Sequence, residues 1–260
     1  MTQSAFCMAQ SEYLKLKEWL FDSALPMWNT IGRDNENGGF FEKITETMDS
    51  IELPRRTRVV SRQIYSFAAA QEMGWHGDGT SAVQHALDFL KQQCFNPDNT
   101  VTTTFDIVNG DRKTEFNLYD HAFALFGLCS AAKILPLQKN EIERKALACL
   151  DAMVENWKHP IAGFEEAVPS IVPLRSNPHM HLMEAFLAWT EQSAPEHQHR
   201  WLAHANEIGE LCLSKFVSPE TGAVREYYLH DWSVKFDEQA SPVETGQPLE
   251  WAWLVGRAAL

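Results

Sequence analysis

Proton-transfer chemistry is suggested by one apolar stretch, RSNPHMHLMEAF, that also carries ionisable side chains. His181 lies between Met180 and Leu182, and Glu184 follows about one helical turn later. A neutral imidazole is a suitable base for removing a proton from carbon. A carboxylate three residues further along a helix can orient that imidazole, or it can bond to a neighbouring helix. The segment therefore predicts a functional histidine at position 181.

Two arginines occupy a similar apolar setting in RTRVVSRQIYSF. Arg58 and Arg62 are four residues apart, so they lie on one face of a helix. There they could hold a hydroxyl or an anionic group of a ligand. They could equally form ion pairs with carboxylates such as Glu42 or Glu165, and the sequence leaves both alternatives open.

A third polar cluster begins LYDHAFALFGL, where His121 follows Asp120 as a structural pair or as part of a site. Arg62 precedes His121 by 59 residues, and His121 precedes His181 by 60. This spacing predicts equivalent positions of a repeat. Burying a polar group costs free energy unless the group has a hydrogen-bond partner. Polar groups that recur at the same position of the repeat therefore predict a polar pocket. The clusters contain Arg58, Arg62, Gln63, Tyr119, Asp120, His121, Asn177, His179, His181, Glu184, Gln247 and Glu250.

A repeat of about 60 residues underlies this spacing. Gly39–Glu42, Gly163–Glu166 and Gly222–Glu226 share a pattern that starts with glycine and ends with glutamate. The regular spacing places a further copy near residue 101, where residues 100–105 are strand-like and lack the glycine. Such segments predict hairpin-like loops with tight turns.

Two kinds of helix flank these loops. Residues 81–95, 139–158 and 196–216 carry an apolar stripe on one face, and they precede the loops. Residues 59–73, 119–135, 178–190 and 250–260 follow the loops and are apolar on most sides, so they must be buried. Inner helices wrapped by outer helices predict an all-α, α/α-barrel architecture with its pocket at the mouth where the loops gather.

Four such units fit in the 260 residues, which we expect to form a single partial barrel domain over residues 1–260. The last inner helix reaches the C-terminus without a cap or a polar tail. An incomplete ring would expose apolar helix sides. The sequence therefore predicts a truncated barrel, or one that a partner completes, and a homo-oligomer is one way to do so.

Composition argues against several classes of function. The net charge of −13 opposes binding to nucleic acid or to an anionic membrane surface. No stretch approaches the about 18 apolar residues of a spanning helix. The five cysteines are odd in number and widely spaced, which is typical of free thiols in a reducing compartment. With no signal-peptide pattern at the N-terminus, we expect a cytoplasmic protein.

The sequence also lacks the common motifs for metals and nucleotide cofactors. GxGxxG, Walker A, GxSxG and HExxH patterns are missing, as is a cysteine cluster. His179 and His181 diverge on a helix, and His197, His199 and His204 lie on a one-sided outer helix. We therefore expect neither a metal nor a cofactor.

Four segments, RTRVVSRQIYSF, LYDHAFALFGL, RSNPHMHLMEAFLAW and LEWAWL, resemble the N-acylglucosamine 2-epimerase family, particularly its mannose isomerase-like branch. The resemblance runs from about residue 20 to the C-terminus. It implies an (α/α)6 barrel, of which about four of the six helical hairpins are present. It also implies isomerisation or 2-epimerisation of a monosaccharide through an enediol(ate), without a redox cofactor.

The resemblance further implies roles for individual residues. His181 is similar to a catalytic histidine, and Glu250 to the carboxylate that pairs with a second catalytic histidine. Substrate contacts implied in the same way are Arg62, Tyr119, Asn177 and Met180. Arg58 and Glu184, predicted above from their helical positions, complete the expected substrate-binding set.

This chain departs from the family pattern Pro-Gly-His-x-x-Glu-Trp at the second catalytic position. Gln247 occupies the histidine position in Thr245–Trp251, and glutamine cannot exchange a proton near neutral pH. Another family histidine would lie beyond Leu260. We therefore expect low isomerase activity from the 260-residue chain, with little rescue by Gln247→His alone.

Two alternative functions remain open at the level of sequence. A glycoside hydrolase on the same barrel would need two pocket carboxylates at bond-cleaving separation, with Glu165, Glu166 and Glu250 as candidates. A non-catalytic sugar-binding or interaction module would fit the loss of the histidine at position 247.

Overall fold

Two sets of α-helices alternate along the chain in the computed structural model, which describes residues 3–235 and 245–258. One set begins after the loops and the other leads into them. In chain order they are α1 (Gln3–Trp19), α2 (Leu25–Thr30), α3 (Thr57–Glu72), α4 (Gly79–Phe89), α5 (Leu118–Ile134), α6 (Lys139–Trp157), α7 (Ser176–Gln192), α8 (Pro195–Leu211) and α9 (Gly246–Ala258).

The inner helices are α3, α5, α7 and α9, and each packs beside the next. In α5, 13 of the 17 residues are buried, as expected for a helix covered on all sides. The predicted inner helix over residues 250–260 begins earlier, at Gly246, and residues 259 and 260 lie outside the described part of the chain.

The outer helices bury one stripe, as predicted. In α4, for example, Val83 and Leu87 are fully buried. In α6 the buried stripe contains Ile142, Cys149 and Met153, while Leu147 is only partly buried. Single helical turns extend the outer helices: π-helical turns at Leu20–Ala24, Leu90–Cys94 and Cys212–Phe216, and a 3-10 turn at Pro136–Gln138 before α6.

Short strands connect successive units at the mouth where the inner helices begin. The strands are β1 (Lys43–Ile44), β2 (Ser50–Ile51), β3 (Arg55–Arg56), β4 (Thr104–Phe105), β5 (Arg112–Lys113), β6 (Leu174–Arg175) and β7 (Tyr227–Tyr228). All pairs are antiparallel, in the orders β1-β2, β3-β4-β5 and β6-β7. The strand that precedes α3 pairs with the following loop, and the strand that precedes α7 does the same, so neighbouring units are hydrogen-bonded to each other.

Each outer helix is followed by one antiparallel bridge, and this gives the repeat its structural register. The expected copy near residue 101 is present. It needs no glycine because Asn99 adopts φ +67°, where two of the other copies have Gly38 at +86° and Gly222 at +72°. Asparagine tolerates this left-handed region better than most residues. The four repeated bridges are Arg33–Phe40, Phe95–Val101, Lys158–Phe164 and Val217–Val224, and a further bridge, Tyr228–Val234, lies later in the last loop.

Four cysteines, Cys94, Cys129, Cys149 and Cys212, are buried free thiols, as expected. The side chain of Cys7 lies outside the described residues. Within the described ranges, no single helix is both long and apolar enough to cross a bilayer. Leu118–Ile134 and Pro136–Trp157 reach that length and hydropathy only as a pair, bent by 118°.

Candidate active site

The first turns of the four inner helices form two layers of side chains at the mouth. Along α3, α5 and α7, several residues at the same position contact their counterparts on the neighbouring helix. For example, the Arg62 guanidinium lies 4.1 Å from the ring centroid of Phe123, and that centroid lies 4.6 Å from the His181 ring. The second positions are Arg58, Tyr119, Asn177 and Gln247, and the sixth are Arg62, Phe123, His181 and Trp251.

This register corrects one interpretation of the repeat. The 59- and 60-residue spacings suggested that Arg62, His121 and His181 are equivalent. In the structure His121 is the fourth residue of α5 and is equivalent to His179 of α7, whereas His181 is equivalent to Phe123. The loops differ in length, so equal spacing in sequence does not give equal position in the fold.

His121 and His179 are fully buried, and both ring nitrogens contact the backbone. Each Nδ1 lies 2.8 Å from a carbonyl oxygen four residues earlier, and each Nε2 accepts an N–H at 3.1 Å, from Val101 and Phe164 respectively. Burial lowers the pKa of each imidazole to about 4. These neutral rings hold the mouth loops to the inner helices, and Asp120 is not the hydrogen-bond partner of His121 that the sequence suggested.

A cavity of about 490 Å³ opens above these first turns. Four residues predicted to bind substrate line it: Arg58, Arg62, Tyr119 and Asn177. The ends of the mouth strands add Arg56, Arg175, Glu226 and Tyr227. The lining is therefore polar and rich in guanidinium groups, in a protein whose net charge is −13.

The two predicted arginines have different partners. Arg62 donates from Nη2 to the Tyr119 hydroxyl at 2.7 Å. The Nε of Arg58 lies 3.5 Å from a carboxylate oxygen of Asp120. Burial raises the pKa of Asp120 to about 6, against the opposing effect of Arg58. The carboxylates named as alternative partners bind elsewhere: Glu42 pairs with Arg56, and Glu165 with His230.

His181 is 9% exposed and adjoins the cavity through its contact with Tyr119, although it is not itself one of the lining residues. Its Nδ1 is 3.3 Å from the carboxylate of Glu184, so Glu184 is placed to orient the imidazole. Since a carboxylate accepts, this contact favours the tautomer with the proton on Nδ1 and a free lone pair on Nε2. The ring also contacts Tyr119 edge-on, with 5.2 Å between centroids.

A second carboxylate approaches the same imidazole from α9. A ring nitrogen of His181 and one carboxylate oxygen each of Glu184 and Glu250 all lie within 4.8 Å of one another. Histidine with two carboxylates is also a set that a divalent cation could use. The predicted catalytic residues on α7 and α9 are thus brought together in space.

A second group of metal-ligand type lies among the mouth loops, formed by His159, Glu165 and His230. Here His159 Nδ1 accepts the backbone N–H of Ile161 at 3.1 Å, and its Nε2 lies 2.8 Å from the carbonyl oxygen of His230. Both nitrogens of His159 are therefore engaged, which makes this group a poor metal site.

The remaining predicted residues lie deeper. Met180 is 1% exposed and belongs to the hydrophobic core, so its role as a sugar contact stays a prediction. Gln247 is 5% exposed, and its side chain hydrogen-bonds Glu226. Glu166, a candidate for the hydrolase alternative, forms an ion pair with Arg175.

Glu226 is one of the cavity residues that the sequence interpretation did not assign to the site. It is 8% exposed, lines the cavity and accepts a hydrogen bond from the Ser176 hydroxyl at 2.8 Å. Burial raises the pKa of its carboxyl above the ordinary value. Its place in the Gly222–Glu226 copy of the repeat was visible, but only the fold brings it to the cavity.

The alternating inner and outer helices, with a polar cavity over the inner-helix first turns, define an α/α-barrel protein. The family model for N-acylglucosamine 2-epimerase (GlcNAc 2-epimerase) matches residues 24–260. The chain therefore belongs to the N-acylglucosamine 2-epimerase family, and the resemblance predicted from its motifs is confirmed.

Known proteins support both the family and the fold. A mannose-6-phosphate isomerase of Rhizobium meliloti (strain 1021) is 39% identical over 248 residues, covering 94% of this chain and 63% of that protein. The cellobiose 2-epimerase of Spirochaeta thermophila DSM 6192 superposes with a TM-score of 0.85 at 18% identity, covering 99% of this chain and 65% of that one. A D-mannose isomerase gives 0.74 at 17% identity, covering 87% and 58%.

These comparisons confirm the predicted fold class, a partial (α/α)6 barrel with short strands at one mouth. The chain spans less than two thirds of the length of each of these three proteins.

Proposed function

We propose that this chain acts on a monosaccharide as an aldose–ketose isomerase or 2-epimerase, with His181 as the base that removes the C2 proton. One observation carries the proposal: His181 is oriented by Glu184 and contacts Tyr119, which lines the arginine-rich cavity. Family membership, and the names of the isomerase and epimerases that the chain is similar to, support this reaction class.

The chemistry follows from the charge that develops on the sugar. Removing the C2 proton of an aldose sends electrons toward the C1 carbonyl oxygen and gives an enediolate. Arg62 and Arg58 place positive charge beside the cavity, where it stabilises that oxygen anion. Asn177 offers an amide that can bind a sugar hydroxyl. Return of the proton to C1 gives the ketose, and return to the opposite face of C2 gives the epimer.

Two carboxylates beside His181 support its change of charge. Glu184 accepts from Nδ1, so it stabilises the imidazolium that forms when Nε2 takes the proton. Glu250 lies close enough to add to this effect. In contrast, Gln247 can bind but cannot exchange a proton, so the proton-transfer role of the family histidine is not filled by this residue.

The reaction also bears on the cofactors that the enzyme needs and on its place in the cell. Isomerisation is redox-neutral within the sugar, so the reaction needs no redox cofactor, and His181 chemistry needs no metal. We place the protein in carbohydrate metabolism in the cytoplasm, acting on a small molecule rather than on nucleic acid or a membrane. A homo-oligomer would be consistent with this assignment.

Proton NMR in D2O tests the proposal directly. The purified chain is incubated with mannose and, separately, with mannose 6-phosphate. We expect loss of the C2–H signal and slow appearance of the ketose or the C2 epimer. The His181→Asn variant is the matched control and should show neither. Wild-type protein that leaves both sugars unchanged would contradict the proposal.

Parallel incubations separate the alternatives. Release of the aryl group from an aryl mannoside would favour a hydrolase. Sugar binding by calorimetry without any exchange or turnover would favour a non-catalytic sugar-binding module.

A further inference from the structure

Three loop carboxylates occupy the same position of the structural repeat but have different surroundings. Glu42, Glu166 and Glu226 each lie two residues after the residue that closes the bridge of their loop. An identical residue type at an identical position allows a direct comparison. What differs is the set of partners that the fold supplies.

Two of the three form ion pairs that fix the start of an inner helix. Glu42 accepts the backbone N–H of Arg56 at 2.6 Å and its Nε at 2.8 Å. Glu166 accepts the backbone N–H of Arg175 at 3.0 Å and its Nη2 at 2.8 Å. Arg56 and Arg175 occupy the N-cap positions of α3 and α7, so both carboxylates serve to position helices.

Glu226 instead receives its hydrogen bonds from neutral groups. The Ser176 hydroxyl donates to it at 2.8 Å, and the Gln247 side chain and the Asn177 backbone N–H also bond to it. Burial raises the pKa of the Glu226 carboxyl, and it raises that of Glu166 as well. The two carboxyls therefore differ in their hydrogen-bond donors and in the opening of Glu226 on the cavity. A carboxyl of this kind, opening on a cavity, is suited to proton exchange.

We propose that Glu226 is the second proton-transfer group of the site, carrying a proton between the sugar oxygens O1 and O2 while His181 carries the proton between the sugar carbons. This inference rests on the proposed function. It is motivated by position: Glu226 lines the cavity with Arg62 and Asn177, and it bonds to Gln247, which occupies the place of the family histidine but cannot transfer a proton.

The proton and electron balance closes for an aldose. His181 takes the C2 proton, the C2–H pair forms the C1=C2 bond, and the C1=O π pair moves to O1, which takes the proton of the Glu226 carboxyl. The Glu226 carboxylate then takes the O2 proton as O2 becomes the carbonyl, and C1 takes the proton from His181. Both residues return to their starting state, and no other reactant is needed.

A helix-capping role for Glu226 on α7 would be satisfied by an amide oxygen as well as by a carboxylate. Glu226→Gln therefore separates the two roles, because glutamine keeps an acceptor for Ser176 but cannot exchange a proton. Glu226→Asp keeps the acid on a shorter side chain. Glu42→Gln is the matched control, since it alters the equivalent loop carboxylate outside the cavity.

The experiment is the pH profile of kcat for sugar isomerisation. Because the first step consumes the carboxyl proton, wild-type kcat should fall as pH rises through the pKa of Glu226. Glu226→Gln should lower kcat about 10²–10⁴-fold and remove that alkaline limb, with KM changed less than about threefold. Glu226→Asp should retain the limb with part of the rate, and Glu42→Gln should retain it fully.

Two outcomes would overturn the inference, and they are distinguishable. If wild-type protein is active and Glu226→Gln keeps its kcat and alkaline limb, Glu226 is only a helix cap while the proposed function stands. If the wild-type protein neither isomerises the sugar nor exchanges its C2 proton, the proposed function fails and this inference fails with it. Thermal melting of each variant ensures that kcat refers to folded protein.

Discussion

His179 and His181 lie two residues apart on α7, yet their surroundings are opposite. His179 is fully buried and uses both ring nitrogens on the backbone of Arg175 and Phe164. His181 holds a side-chain carboxylate with one nitrogen and packs its ring beside Tyr119 at the cavity. One histidine supports the loops of the mouth, and the other is available for chemistry.

The difference shows that the hydrogen-bond partners of a histidine determine whether it has a structural or a chemical role. Backbone partners on both nitrogens fix the neutral form and leave no lone pair for a ligand. A carboxylate partner on one nitrogen leaves the lone pair of the other nitrogen free to take a proton. His121 repeats the first arrangement one unit earlier in the barrel.

The largest effect that we expect comes from removing the imidazole beside the cavity. His181→Asn should lower C2-proton exchange about 10²–10⁴-fold, because a general base is lost. Stability should change little by comparison, since the backbone contacts of α7 remain. Sugar proton NMR and thermal melting measure the two effects. Exchange at the wild-type rate would remove His181 from the mechanism.

The matching change at the neighbouring histidine should affect stability instead. His179→Ala leaves the buried N–H of Phe164 and the carbonyl of Arg175 without their partner, and each unsatisfied group costs about 1–3 kcal/mol. Urea denaturation should show a loss of about 3–4 kcal/mol in the free energy of unfolding. His199→Ala, on the exposed face of α8, is the control and should change it by less than about 0.5 kcal/mol.

The pH dependence of stability sharpens the same contrast. The pKa of His179 and of His121 is lowered from 6.5 to about 4 by burial. Between these values the unfolded state binds more protons than the folded state, so stability falls as pH decreases from 6.5 to 4. Each histidine should contribute about 3 kcal/mol to this loss. Denaturation curves that keep the wild-type slope with pH in His179→Ala would contradict this.

The smallest effect concerns the carboxylate that orients the cavity histidine. Glu184→Gln keeps an acceptor oxygen but loses the charge that stabilises the imidazolium. We expect kcat to fall about tenfold, equivalent to about 1.4 kcal/mol, with KM nearly constant. A steady-state comparison of Glu184→Gln with Glu184→Asp tests it, because aspartate should restore part of kcat. Wild-type kcat in Glu184→Gln with a loss in Glu184→Asp would show that side-chain length, rather than charge, matters.

Much of the fold could be predicted because helix burial is recorded in the pattern of apolar residues. Because α5 is apolar on most sides, it had to be an inner helix. Because α4 has a single apolar stripe, it had to be an outer helix. The repeat glycines marked the loops, but the spacing of the polar clusters gave the wrong register for His121. That register depends on the lengths of the loops. It is established by the bridges at Val101 and Phe164, which show that these residues occupy equivalent positions in successive units.

The site could be predicted in part, for a related reason. Residues on the first turn of a predicted inner helix, such as Arg62 and Tyr119, share one mouth, so their proximity follows from the fold class. The partners of a loop residue depend on how loops from different units meet. Sequence spacing identified Glu226 as a repeat position, but it carried no information about its contacts with Ser176 and Gln247.

The buried cysteines can be used to follow local unfolding of this protein. Cys94, Cys129, Cys149 and Cys212 are distributed across successive helical units, and burial raises the pKa of each thiol to about 12. Thiol reagents attack the thiolate, so labelling must wait until the surrounding helices separate. In a Cys7→Ser background, the order in which the four thiols become labelled would reveal which parts of the barrel open first.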